Sequence, residues 1–568
     1  MPAVPTSADT LIARLERARH LRPGAREAQR LLAEARRVRV GDAEQLIRLH
    51  DAVMFLRAYP HSPRVLRLSE EILRGFSRRV ARLAETDADL SPFDAPEAAG
   101  IAGTTIGTDF SFDIARFLAR RFGRRVRIDW DAAELSDRMR ATWPSFLPLL
   151  EEEALADANV PYVNWLAAAA GRRRDDPGWL LDRYARLPLP SADRPEHFDA
   201  LGLPIAWDLG DSRASHTRMR LPGPRLFFHD EPLLARRDVS LDRTFVEPPM
   251  KLRRLSRREG ERLCDLVREA TAARYREFYT FTYADPASVV AARPGRGVEL
   301  FLVGVLPEKR LPLRSAYGGF VVKNGVPIGY IEGLAFAERL EIGFNMYYTF
   351  REGESAWIYA QVMRFHRDAL GVTSFSIDPY QLGYENDEAL DSGAFWFYRK
   401  LGFRPTHRSV HALLGREERR IARDPAYRSS RRTLERLVTH NLIYEVPGNA
   451  RGEWDRFHIR NLGLAVNRRM AADYGGDAAR LRKASERRVA AALGLSPARW
   501  PSERRRAFSE LALVLDLIPD LARWPPAERA AVAGIIRGKM GRTERRYLAG
   551  LRRHERLRRA LIRLGSRA

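Results

Sequence analysis

Cysteine is nearly missing from the 568 residues: Cys264 stands alone. A single thiol excludes an internal disulfide and any zinc site built from cysteines, and it fits a reducing compartment. Cys264 shares a helical face with Leu263, Val267 and Ala270, the setting of a buried structural thiol rather than a nucleophile. Long apolar runs are missing as well. Asp9, Arg14 and Glu16 interrupt the opening segment, and no stretch approaches the roughly 20 residues of a membrane helix. The expectation is a soluble, cytoplasmic chain with no membrane partner. Lysine is scarce, occurring at 251, 309, 323, 400, 483 and 539, so 91 of the 97 basic residues are arginine. That skew fits codon composition in a GC-rich genome better than selection for a basic surface. The excess over 73 acidic residues still leaves a formal charge of +24, which draws anions, RNA and tRNA included, in a salt-dependent way. Asp211, Ser215 and His216, and then His229 and Asp230, are neighbours in sequence only. That arrangement makes neither a nucleophile–base pair nor metal-ligand spacing, and no metal is expected.

The length exceeds what one hydrophobic core serves, so roughly two to four domains are expected. Residues 1–187 are mainly helical in period. The best-marked segment between Thr10 and Leu83 turns Ile72, Leu73, Phe76, Val80 and Leu83 inward, with Ser69 as its cap. Gly100, Gly103 and Gly107 precede a helical pattern, but without a following lysine or a preceding strand they read as an ordinary loop. Ala133–Arg186 is helical again, with Trp143, Phe146, Trp165 and Trp179 as core. Residues 188–250 form a proline-rich connection wrapped over a junction. Residues 415–568 are helical to the end. The last helix, capped near Thr543, buries Tyr547, Leu551, Leu557, Leu561 and Leu564. Its outer arginines, Arg545, Arg552, Arg556, Arg559 and Arg563, suit RNA, acidic partners or plain solvent.

Residues 251–414 carry the sharpest patterns. Ser256 and Glu259 make a capping box ahead of Leu263, Leu266, Val267 and Ala270. VELFLVGVL reads as the first strand. Two extended runs flank Asn324-Gly325, the pair that a tight hairpin turn needs because both residues take positive φ. LEIGFNMYYTF alternates Ile342, Phe344, Met346, Tyr348 and Phe350 against its other residues, the period of a half-buried strand. REGES then opens a helix from Ala356 to Leu370 with Ile358, Val362, Phe365 and Ala369 on one face. Gly371 stops it, and the short strand VTSFSID follows. In SGAFWFYRKLGFRP, Ala394, Phe397, Tyr398 and Leu401 share a helical face that Gly402 ends, and a strand is expected from Phe403 onward.

This order of hairpin, strand, turn, helix, strand, helix and strand, with A-x-x-x-Y-x-x-x-G-F met by Ala394, Tyr398, Gly402 and Phe403, resembles the GNAT superfamily of acyltransferases over residues 252–414. The resemblance implies an α/β (α+β) fold: a mixed central sheet with helices on both faces, flanked here by mainly α-helical N- and C-terminal regions. It implies transfer from acetyl-CoA or another acyl-CoA to an amine, on a small molecule or peptide, by direct attack in a ternary complex. Tyr398 takes the place of the acid that protonates the departing thiolate, although packing on its helix face explains the aromatic equally well. Glu341 or Glu332, on the central strands, stands where a base takes the amine proton.

In that family the strand runs into R-x-x-G-x-G/A, whose amides at a helix N-terminus bind pyrophosphate. Phe350, Arg351, Gly353, Glu354, Ser355 and Ala356 occupy this cofactor-binding turn. Glu354 stands where glycine is expected, and a carboxylate against phosphate in a dry site costs on the order of several kcal/mol. Three readings stay open. Coenzyme A is not held; the loop slips so that Gly353 makes the close approach and Glu354 points to solvent; or Glu354 and Ser355 serve the first turn as caps. Asp391 stands where many relatives carry asparagine and offers a cap, while Glu385, Asp387 and Glu388 form an acidic rim or a solvated loop. Tyr275, Phe278, Tyr279 and Tyr283 are candidate cleft walls. The same fold also serves aminoacyl-tRNA-dependent transferases, and a degenerate core would serve as a binding scaffold.

Overall fold

The computed structural model describes residues 7–19, 26–133, 142–150, 160–171, 176–190 and 193–567. Parts of the expected helical stretches, 20–25, 134–141, 151–159 and 172–175, lie outside the described residues.

A small antiparallel sheet, ordered β1–β3–β2, joins β1 (Thr105–Thr108), β2 (Val126–Ile128) and β3 (Ile205–Asp208). It lies where a helical region and a connecting segment were expected, because strands of three or four residues are too short for a period of two to show. Its apolar cluster, with Leu118, Tyr184, Phe198 and Trp207, is separate from the main core. The glycines before β1 serve packing: a Cβ on Gly100 would lie 2.7 Å from the Ala273 carbonyl oxygen.

The main sheet is mixed and has nine strands: β4 (Arg253–Arg254), β5 (Val290–Gly295), β6 (Val298–Gly304), β7 (Ser315–Lys323), β8 (Val326–Phe336), β9 (Arg339–Met346), β10 (Ser374–Ile377), β11 (Arg404–Pro405) and β12 (Leu442–Glu445). Their order is β4–β5–β6–β7–β8–β9–β10–β12–β11. VELFLVGVL is thus third across the sheet, not first. β12 comes from beyond the boundary expected at 414 and inserts between β10 and β11. Neighbours are antiparallel except β9 and β10, which the Ser355–Leu370 helix connects in parallel.

Local signals settle where the chain turns. Asn324 and Gly325 have φ of 50° and 84°, as the tight hairpin requires. Ser256 and Glu259 form both halves of the capping box, and left-handed Gly371 closes the Ser355–Leu370 helix. Two caps differ from expectation. Ser62 caps the Pro63–Arg74 helix and leaves Ser69 buried within it, and Glu544 rather than Thr543 precedes the Arg545–Arg553 helix. The final segment then breaks before a separate Glu555–Gly565 helix. Helices from both ends of the chain share one apolar core with the large sheet. Among the described residues, no helix is long and apolar enough to cross a membrane.

One irregularity in this sheet positions the cavity. β9 keeps β8 beside it as far as Met346, but it keeps β10 only at Arg339, Leu340 and Glu341. Past Glu341 the parallel pair parts.

Candidate active site

A cavity of about 450 Å³ opens where β9 and β10 separate. Tyr330 and Glu332 from β8 and Asn345 from β9 line it on one face of the sheet, since Tyr330 stands directly opposite Asn345. Phe344 belongs to the other face. Tyr398 and Phe397 complete the wall from the Ala394–Lys400 helix, and Arg351 and Ser355 from the turn before the long helix. Four of the predicted site residues, Glu332, Tyr398, Arg351 and Ser355, therefore meet at one cavity.

Glu332 has glycine across from it on both sides, Gly318 of β7 and Gly343 of β9. No cross-strand side chain pairs with it, and burial pushes its carboxyl up to about 7. A carboxylate of that basicity suits proton abstraction near neutral pH. Glu341 points to the same face, but from the end where β9 and β10 are still joined. It is ion-paired with Arg314 at 3.2 Å and Arg339 at 3.9 Å and lines a different cavity. Glu341 therefore does not share the cavity that Glu332 and Tyr398 line.

Tyr398 is 4% exposed, its ring edge-on to Tyr359 at 5.5 Å and to Phe403 at 5.7 Å. Burial raises the proton affinity of the phenol, so it stays in the form that can donate. Packing and an acid role are compatible here, because the packed ring is also cavity wall.

The turn departs most from expectation. Glu354 is fully buried, with Lys323 Nζ at 3.2 Å and the Arg296 guanidinium at 2.5 Å, and it accepts the Leu234 N–H. It meets neither phosphate nor solvent, and no side chain caps the helix. Burial alone would raise its proton affinity, but Lys323 and Arg296 outweigh burial and hold the carboxyl below its ordinary range. A Cβ on Gly353 would lie 2.5 Å from the Tyr59 hydroxyl, so its close approach is to protein rather than to a ligand. Phe350 and Ala356 are core. Arg351 stacks on Tyr348, 3.9 Å from the ring centroid, and donates to Glu388 at 2.5 Å; Ser355 Oγ donates to the Arg351 carbonyl.

The acidic insertion is tied down as well. Glu388 holds Arg351, while Asp387 and Asp391 hold Arg431. Asp391 does not cap the Ala394–Lys400 helix, whose N-cap is left-handed Gly393. Of the aromatic candidates after the capping-box helix, Phe278 alone lines the cavity. Tyr275 packs on the smaller core, and Tyr279 meets Tyr283 edge-on. Burial pushes the Cys264 thiol up to about 12, which leaves it inert.

Arg274 and Arg276, which no motif singled out, and His216, read from sequence only as a neighbour of Ser215, also line the cavity. Arg274 is buried, stacks 3.9 Å from the Tyr347 ring centroid and donates to the Ala270 carbonyl, while Arg276 has no acceptor for its side chain among the described residues. The one available signal was an arginine pair bracketing Tyr275 just past a helix end. This chain matches no family model, no curated protein and no solved structure.

Proposed function

We propose that the cavity between β9 and β10 carries acyl transfer from an acyl thioester such as acetyl-CoA to an amine, in the manner of GNAT acyltransferases. The observation that carries this reading is the meeting of Glu332 and Tyr398 on the walls of one cavity, opened by a parting pair of parallel strands. Ionised Glu332 takes a proton from the ammonium form of the acceptor, freeing its lone pair. The amine adds to the thioester carbonyl, and the tetrahedral adduct collapses with loss of the C–S bond. The departing sulfur takes the phenolic proton of Tyr398, which the adduct's own N–H proton then replaces through solvent. Arg351 and the uncapped helix start at Ser355 place positive potential where donor phosphates would lie. Glu388 has to yield Arg351 for that contact.

Isothermal titration of the full chain with acetyl-CoA, followed by thiol release with a primary amine, tests the reading. Saturable binding and amine-dependent thiol release are expected. No heat at millimolar ligand removes acyl-CoA as donor.

A second donor is favoured by the closed turn. Gly353 is packed against Tyr59 and Glu354 is buried, so neither offers a close approach to a pyrophosphate and only Arg351 and the helix start remain for it. Aminoacyl-tRNA-dependent transferases of the same fold need no such cradle. Salt-dependent tRNA affinity with transfer of the aminoacyl group supports that donor, and indifference to tRNA eliminates it.

A further inference from the structure

A second cavity, of about 460 Å³, lies between the N-terminal helices and the Arg257–Ala272 helix, walled by the segment from Arg213 to Pro222. It is distinct from the first, yet one step of chain separates them: His216 lines one and Thr217 the other. Seven arginines and two carboxylates line it. The volume is that of a small-molecule site.

The charges are unevenly answered. Arg57, 4% exposed, forms the floor and donates to Glu70 at 3.3 Å and to the Thr217 carbonyl at 2.8 Å. Arg220 shares Glu70 at 2.6 Å, and its own Nε is buried with no acceptor. Arg121 pairs with Glu269, and Arg218 with Asp211 at the rim. Arg74, Arg213 and Arg262 are exposed at the mouth and have no acceptor among the described residues. Burial brings the Arg57 guanidinium down to about 10, helped by the nearby Arg220 and Arg218 charges and opposed by Glu70. Like charges gathered in one concavity repel one another, and a multiply charged anion is attracted to all of them. The planar guanidinium fork matches phosphate oxygens two at a time. The volume suits a small ligand over an extended nucleic acid, which would need a groove several nucleotides long.

We propose that this cavity binds a small ligand carrying two or more linked phosphates, at a site separate from the acyl-transfer cavity. None of its residues enters the acyl-transfer reading, so the two stand or fall apart.

The test is titration of the full chain with inorganic tripolyphosphate and with ATP at about 150 mM salt. Saturable one-site binding is expected, weakened at least about tenfold in the triple variant Arg74→Gln/Arg213→Gln/Arg262→Gln. Those side chains have no internal partner, so the unliganded melting temperature of the variant should match the parent, which separates lost binding from lost folding. Tighter ATP binding assigns a nucleotide; equal affinities assign the phosphate chain alone. The proposal is overturned by no saturable binding at millimolar ligand, or by unchanged affinity in the triple variant. It is equally overturned if single-stranded RNA displaces both probes with an affinity that grows with RNA length.

Discussion

Glu332 and Glu354 are both withdrawn from water, one midway along β8 and the other at the start of the Ser355–Leu370 helix, yet their proton affinities move in opposite directions. Glu332 faces glycine on each side and has nothing to offset burial. Glu354 has Lys323 from the hairpin tip, Arg296 from the turn between β5 and β6, and a backbone amide. Burial with partners makes a structural tie; burial without them makes a group poised to exchange a proton. Glu354 thus ties the start of the helix to the hairpin tip and the β5–β6 turn, while Glu332 is the carboxyl left without a partner on the cavity wall.

Four perturbations separate the two glutamates and their surroundings. The largest effect is expected for Glu332→Gln, which should lower kcat/KM for acyl transfer about 10²–10⁴-fold without loss of fold. A loss under about threefold would strip Glu332 of its role as base. Next comes Glu354→Gln, which strands Lys323 in the interior and should cost about 3–5 kcal/mol in urea unfolding. The Lys323→Met/Glu354→Met pair should lose less than the sum of its singles, and strict additivity would argue against the tie.

Third is a pH effect. The folded chain keeps the Glu332 proton up to about 7, whereas the unfolded chain releases it near the ordinary 4.5. Native Glu332 therefore binds more protons between those values. Its contribution to stability is full below pH 4.5, falls as pH rises from there to about 7 and is lost above it, by at most about 3.4 kcal/mol. Glu332→Gln should flatten that slope, while parent kcat/KM rises through the same interval. An unchanged slope in the variant would place the titration elsewhere. The smallest effect is Glu388→Gln, which releases Arg351 from an exposed pair and should lower donor KM about two- to fivefold with kcat unchanged. A higher KM would mean that Glu388 orients Arg351 for the donor.

Much of the core was legible because its rules are local. The Asn324-Gly325 turn, the Ser256–Glu259 box and the stop at Gly371 each depend on a few adjacent residues, and all three stand as read. Short motifs read through a family resemblance, together with element order, led to Tyr398 and Arg351, both of which line the cavity. β4 and β11, of two residues each, show no period, and β12 joins the sheet by pairing with chain 65 or more residues earlier at β10. Lys323 was visible as one of six lysines, but its partner lies 31 positions away and no spacing rule connects them. The arginine cavity was hidden for the same reason, because its arginines come from distant helices and a loop.

By itself the local sequence determined the Asn324-Gly325 hairpin, the Ser256–Glu259 capping box, and the strand and helix that lead to the stop at Gly371. Only the tertiary structure decided which glutamate serves the cavity, for Glu332 and Glu341 share one face and differ in what surrounds each. Proton affinity depends on burial and on neighbouring charge, and both are set by residues that folding brings from far along the chain.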